Sequence, residues 1–292
     1  MTETGAPALA VRSFFDGATN TVSHVAYDAT SRRAAIIDPV LDYDPASGRI
    51  STGSADVLVD AVEGGNLAVE WVLETHAHAD HLSAAPYLKE RLGGRIGIGR
   101  HITEVQDAFG QILALGSDFV PDGRQFDHLF DDGETFKLGN IDALVMATPG
   151  HTPACVTYVI SDAAFVGDTL FQPDFGTARC DFPGGDPRDL YHSIHRILSL
   201  PPETRLFTCH DYMPGGREPA WESTVAEQSA KNIHVGNGAS EEDFVAMRTK
   251  RDAVLSMPRL ILPSIQVNIR AGDLPEPEDN GVRYLKIPLN AL

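Results

Sequence analysis

Cationic side chains and cysteine are what this 292-residue chain has least of. Lys and Arg together number 23 against 41 Asp and Glu, a formal net charge of −18, and no Lys/Arg block interrupts the sequence. A phosphate backbone or an anionic membrane surface would meet a field of its own sign, so nucleic-acid and membrane partners are disfavoured. The three cysteines, Cys155, Cys180 and Cys209, are too few and odd in number to build a disulfide framework in a chain of this size. We expect them to be reduced. No apolar run approaches the roughly 20 residues that span a bilayer. The stretch MTETGAPALAVRSFF has neither the basic region and long apolar run of a secretory leader nor the Arg-rich character of a mitochondrial one. The expected location is the cytoplasm. Internal repeats of about 20 to 50 residues and low-complexity linkers are also missing, which favours one domain over 1–292, with 221–292 packed on it.

What is present is a rhythm of short β-branched strands and amphipathic helices. The first half predicts strands over 21–27, 34–38, 69–75 and 96–99, with helices over 57–65, 83–92 (Ser83 as N-cap, Gly93-Gly94 as stop) and 101–115 between or after them. Residues 116–132 read as loop. The second half predicts strands over 134–138, 141–148, 156–160, 163–167 and 205–209, and helices over 187–200, 221–233 and from Ser240 onward, where three acids occupy the first turn. Two such cycles imply an α/β sandwich with two mixed sheets face to face and helices outside.

Chemistry concentrates in Thr75-His76-Ala77-His78-Ala79-Asp80-His81, directly after an apolar strand. A lone histidine is usually a satisfied surface or core residue. Three histidines and an aspartate this close have no such excuse, because several imidazoles and a carboxylate would all need partners in a core lacking a cation. In extended chain His76 and His78 point to one side and reach one metal position, while Asp80 and His81, at the start of the next helix, reach a neighbouring one. Further candidates follow the ends of later strands: His151 after 141–148, Asp168 after 163–167 and His210 after 205–209. Taken singly, His151 reads equally well as a turn residue and Asp168 as a helix cap. Together with the cluster they fall on one sheet edge.

The set HAHADH, His151, Asp168 and His210 resembles the metallo-β-lactamase superfamily over about the first 215 residues. The resemblance implies a four-layer αββα sandwich. Gly167-Asp168-Thr169-Leu170, Gly176-Thr177-Ala178-Arg179-Cys180-Asp181-Phe182 and Cys209-His210-Asp211-Tyr212 are similar to the persulfide dioxygenase (ethylmalonic encephalopathy protein-like) branch. So are the runs 262–270 and 279–288. That branch implies one Fe(II) on His76, His151 and Asp168, with His78, Asp80, His81 and His210 around it, and oxidation of glutathione persulfide by O2 to sulfite and glutathione. It also implies a homodimer. Because all seven ligands of a two-metal enzyme are present, a glyoxalase II-like hydrolase of a glutathione thioester with two Zn(II) per chain stays open. A non-catalytic module with this fold is the third reading, disfavoured by the intact ligand set. The acidic balance argues against the superfamily's nucleases.

Substrate-binding candidates are Arg179, as the cation for a glutathione carboxylate, and Tyr212. Arg270 and Lys286 are weaker candidates and read better as structural. Adjacent strand residues face opposite ways, so Cys209 is expected in the core, away from the metal that His210 approaches. Cys155 is also expected to be buried, and Cys180 is either a small packing residue or a persulfide carrier.

Overall fold

A strand that is apolar on both faces needs cover from both sides, and β2 (Thr21–Asp28) is buried at every position. The computed structural model, which describes residues 9–117 and 119–291, supplies that cover in four layers. One six-stranded sheet has the order β1 (Leu9–Asp16), β2, β3 (Arg33–Ile37), β6 (Ala68–Leu73), β8 (Arg95–Gly99) and β9 (His128–Phe130). The other runs β10 (Thr135–Leu138), β11 (Ile141–Ala147), β12 (Val156–Ile160), β13 (Ala163–Phe165), β14 (Arg205–Phe207) and β15 (Glu222–Thr224). Both are mixed: β3, β6, β8 and β9 pair in parallel, as do β13 and β14, and the remaining pairs are antiparallel. A small third sheet joins β5 (Arg49–Ser51), β4 (Val40–Asp44) and β7 (Leu82–Ser83).

The layers follow from which side chains share a core. Ala35, Ile37, Trp71 and Leu73 of the first sheet interlock with Val145, Tyr158, Ile160 and Phe165 of the second. Outside the first sheet, Val25, Ile36 and Val72 meet helices α1 (Gly53–Gly64), α2 (Ala85–Leu92), α3 (Ile102–Ile112) and α7 (Ile261–Asn268). Outside the second, Ala164 and Leu206 meet α4 (Pro187–Leu198), α5 (Val225–Lys231) and α6 (Glu241–Asp252). Helix α4 presents Leu190, Ile194 and Ile197 to that core, the spacing of one helical face. The αββα arrangement is therefore the one expected. Among the described residues no helix is long and apolar enough to cross a membrane.

Several elements differ from expectation. Strand β1 lies in a stretch read only for leader signals, and β9 lies in the expected 116–132 loop; each is an edge strand of the first sheet. The helix expected over 221–233 begins only at Val225: Glu222–Thr224 first pairs with β14, and Thr224 then caps α5 by accepting from Glu227 N. Ser83 sits in β7 rather than capping a helix that begins at residue 83, although its hydroxyl accepts from Ala85 N at 3.0 Å. Asp80 and His81 accordingly precede a strand, not a helix. The tail from 269 to 291 contributes no strand.

One polar residue joins the two sheets. His24 on β2 is buried between Phe165 and Phe207, its Nε2–H donates to the Thr208 carbonyl (3.1 Å), and its Nδ1 takes the Ser13 hydroxyl (2.8 Å). Burial lowers its pKa from 6.5 to about 4. The unfolded chain therefore binds a proton between pH 6.5 and about 4 that the folded one refuses. Stability from this site is complete above that window and falls on acidification through it, by about 1.4 kcal/mol per pH unit. Urea midpoints at neutral pH and at two points inside the window should show a shallower acid slope for His24→Gln than for the native chain; equal slopes would place the titration elsewhere.

Candidate metal centre

Every candidate ligand follows the carboxyl end of a strand. His76, His78, Asp80 and His81 come after β6, His151 after β11, Asp168 after β13 and His210 after β14. Two of these exits require glycine. Gly150 has φ +131°, and a Cβ there would lie 2.3 Å from Leu190 N; Gly167 has φ +53°, and its Cβ would lie 2.6 Å from Thr75 Oγ1. The turns that aim His151 and Asp168 thus pack backbone directly against α4 and against the first ligand loop.

The hydrogen bonds decide which nitrogen each imidazole offers. His151 Nδ1 donates to the Arg179 carbonyl (2.8 Å), His81 Nδ1 to the Leu82 carbonyl (3.1 Å) and His210 Nδ1 to the Asn20 carbonyl (3.2 Å). The Thr75 hydroxyl gives its proton to Asp38 Oδ2 (2.9 Å), so His76 Nδ1 donates to it (3.0 Å). His78 uses its other nitrogen: Nε2 lies 3.0 Å from Asp38 Oδ1 and 3.2 Å from Glu74 Oε2. All five rings are thereby oriented, with the remaining nitrogen turned toward the others.

Those inward atoms form two adjoining groups. His76, His151 and Asp168 bring their ligand atoms within 4.8 Å of one another. Asp168 Oδ2 is 3.8 Å from His76 Nε2 and 3.6 Å from His151 Nε2. On the other side of Asp168, His210 Nε2 stands 3.4 Å from Oδ1 and 3.1 Å from Asp80 Oδ2. Four buried atoms here, His78 Nδ1, His81 Nε2, His210 Nε2 and Asp168 Oδ1, have no hydrogen-bond partner. Lone pairs facing lone pairs in a buried site fit a cation and nothing else in the protein's own chemistry. Charge follows the same logic. Burial, and then His78 and His151, hold His76 far below the usual imidazole range, and burial with His78 lowers His81 to about 3. Although burial opposes its cation, His78 is driven well above that range by Asp38 and Glu74.

A family profile described as the metallo-beta-lactamase superfamily matches residues 19–210. The chain belongs to the metallo-beta-lactamase superfamily. This superfamily member is 60% identical to a Burkholderia pseudomallei protein named as a metallo-hydrolase, over 97% of this chain and 100% of the other. It is 49% identical to "Glyoxylase B2" of Dictyostelium discoideum, over 91% of each. It is 30% identical to the human mitochondrial persulfide dioxygenase ETHE1, over 92% of this chain and 90% of that one. The crystal structure of ETHE1 from Myxococcus xanthus superposes with a TM-score of 0.71 at 28% identity, covering 90% of this chain and all of the other. The superfamily, its fold and a metal-dependent enzyme are thereby established, and the ETHE1 likeness supports the expected branch.

A 510 Å³ cavity opens over the first group, lined by His76, His151 and Asp168 and walled by Phe171, Phe175, Phe182 and Tyr212. Tyr212 lies where expected, its ring stacked on Phe175 and His210. Arg179 lines the cavity but is spent within the protein. Its guanidinium clasps Asp181 (2.5 and 2.6 Å) and donates to the Ser256 carbonyl (2.7 Å), while its own carbonyl orients His151. The carboxylate-binding role expected of it does not match these contacts. Cys209 is buried as expected, yet its sulfur lies in one group with His78, His81 and His210; strand alternation does not apply, because β14 ends at Phe207. Cys180 packs in the core beneath α4 and α6 rather than in the cavity, and burial pushes its thiol far up, which removes the basis for a persulfide carrier. Cys155 is buried as well. Arg270 and Lys286 serve structure: Arg270 donates to Gln266 O and covers Phe119, and Lys286 donates to Ala114 O.

Sequence reasoning missed Asp38, Glu74 and Asn268. Asp38 accepts from Thr75 N (2.7 Å), the Thr75 hydroxyl and His78. Asn268, at the end of α7, donates to the carbonyls of His78 and His81 (2.8 Å each) and accepts from Ser83 N (2.8 Å). It clamps the ligand loop from the far end of the chain. Asn268→Ala leaves three buried backbone groups unpaired, and we expect a loss of about 2–4 kcal/mol in urea unfolding together with reduced metal content. Native metal content in that variant would show that the loop holds itself.

Proposed function

We propose that this protein is a persulfide dioxygenase in which His76, His151 and Asp168 hold one ferrous ion. The observation that carries the reading is the convergence of two imidazoles and one carboxylate on the cavity floor, with His78 engaged instead by Asp38 and Glu74. Likeness to ETHE1 over nine-tenths of the chain supports it. Bound there, Fe(II) supplies open positions at which O2 and a sulfur anion are brought together. In the overall reaction one O2 and one water provide the three oxygens of sulfite, and the thiol and two protons leave.

The chain's own part is placement and shielding. The Arg179 carbonyl and Thr75 hydroxyl keep His151 and His76 facing Asp168, and Phe171, Phe175, Phe182 and Tyr212 keep bulk water from the reacting sulfur. His78, Asp80, His81 and His210 surround the site as charge balance and water anchors. Glutathione persulfide is the proposed substrate, a homodimer the proposed assembly and the cytoplasm the proposed location.

A second reading, a dizinc hydrolase of a glutathione thioester, has its own supporting observation. The unpartnered atoms of His81, His210 and Asp168, beside Asp80, make a second cation position on the far side of Asp168, and the more similar relatives are named as hydrolase or glyoxylase. Metal analysis of protein grown with iron and zinc both available separates the two. About one iron per chain with O2 uptake on glutathione persulfide is expected. Two zinc per chain with thioester cleavage and no O2 uptake would overturn the dioxygenase. Asp168→Ala is expected to lose metal and activity, whereas His210→Ala keeps its iron with reduced activity.

A further inference from the structure

Twenty-three Lys and Arg side chains serve a protein of net charge −18, and nearly all are committed to an acceptor within the fold. Among the described residues only Arg49, Lys250, Arg251 and Arg259 make no side-chain hydrogen bond or ion pair. Three of these four line two adjoining cavities. Arg251 and Arg259 line the 510 Å³ cavity over His76, His151 and Asp168. A second cavity of 370 Å³ shares Ala18, Thr19, Arg259 and Leu260 with the first and also takes in Arg49.

The two arginines have a common origin. Arg251 stands in the last turn of α6, and Arg259 two residues before α7 begins, so both come from the short connection that crosses the cavity mouth. A cation in the last turn of α6 complements the helix dipole, but that does not account for its place in the cavity wall. One helical turn back, Arg248 lines the same cavity while buried. It is tied to Asp252 and to the Thr177 carbonyl (3.2 Å), and its Nε has no partner. Arg179, the remaining arginine of the wall, is saturated by Asp181 and Ser256.

We propose that Arg251 and Arg259 are the carboxylate-recognition pair of this cavity, placed to take the two carboxylates of a low-molecular-weight thiol derivative whose sulfur lies toward Asp168. The inference rests on the reading of the substrate as a glutathione derivative, which the dioxygenase and the hydrolase share. Guanidinium forks suit carboxylates geometrically. In an acidic molecule two uncommitted guanidiniums at one mouth also make the local field attractive to an anion that the whole surface repels.

The test is calorimetric titration of the metal-loaded protein with S-methylglutathione, which keeps both carboxylates and has no reactive sulfur. Arg251→Gln and Arg259→Gln should each weaken binding about tenfold, and the double variant about a hundredfold. Lys250→Gln, which removes an uncommitted cation outside both cavities, should bind as the native protein does. The dimethyl ester should bind all four variants and the native chain equally weakly. Both arginines are exposed, so their variants should melt like the native chain. Native-like binding by the arginine variants, an equal loss in Lys250→Gln, or no binding by the native chain would each overturn the proposal. O2 uptake is read separately: a native chain that binds the thioether without consuming O2 on glutathione persulfide removes the dioxygenase and leaves the arginine pair standing.

Discussion

The structure turns on a rule of hydrogen bonding: a neutral imidazole that gives its one N–H to an acceptor must present a lone pair at its other nitrogen. Five histidines obey it at one place. Three give their protons to the backbone carbonyls of Asn20, Leu82 and Arg179, one to the Thr75 hydroxyl, and His78 to a pair of buried carboxylates. The acceptors come from strand ends and turns spread over the chain, so the fold as a whole selects the tautomers. A buried space ringed by lone pairs and the Asp80 and Asp168 carboxylates is self-repelling unless a cation fills it. Folding and metal capture are thus two descriptions of the same free energy.

Asp38 is the residue on which that arrangement leans. It leaves β3 in a left-handed conformation (φ +50°), which a short carboxylate side chain tolerates better than most. From there it fixes Thr75 through backbone and hydroxyl and His78 through Nε2. Thr75 in turn sets His76 and packs against Gly167. One carboxylate therefore governs both exits that flank the cavity floor, and the backbone contact at Gly167 carries its influence to Asp168. A metallo-beta-lactamase fold places its ligands with turns, but the turns are kept in mutual register by this buried acid.

What could be read in the sequence was whatever is local. HAHADH, His151, Asp168 and His210 stand directly after apolar runs, and a ligand type at a strand end is visible without knowing the fold. The four layers follow from alternating strands and amphipathic helices for the same reason. Asp38 and Asn268 were invisible because a single Asp or Asn after an element carries no periodicity, and their partners lie 37 and up to 190 residues away. Arg179 misled because its partner Asp181 is only two residues on, a separation at which pattern alone cannot tell a clasp from two free charges. Cys209 misled because the alternation argument was carried past the point where β14 stops.

Asn268 has a consequence in time as well as in space. Its amide closes a loop whose ligands were polymerised up to 190 residues earlier. On the ribosome, His76 to His81 emerge long before the side chain that will hold their carbonyls. Through that interval the loop has ligands but no clamp, so it offers a loose chelate to whatever divalent ion is most available. The rigid site appears only when α7 leaves the exit tunnel. The ion kept by the finished protein is therefore decided late, in a competition that opens with the last tenth of synthesis.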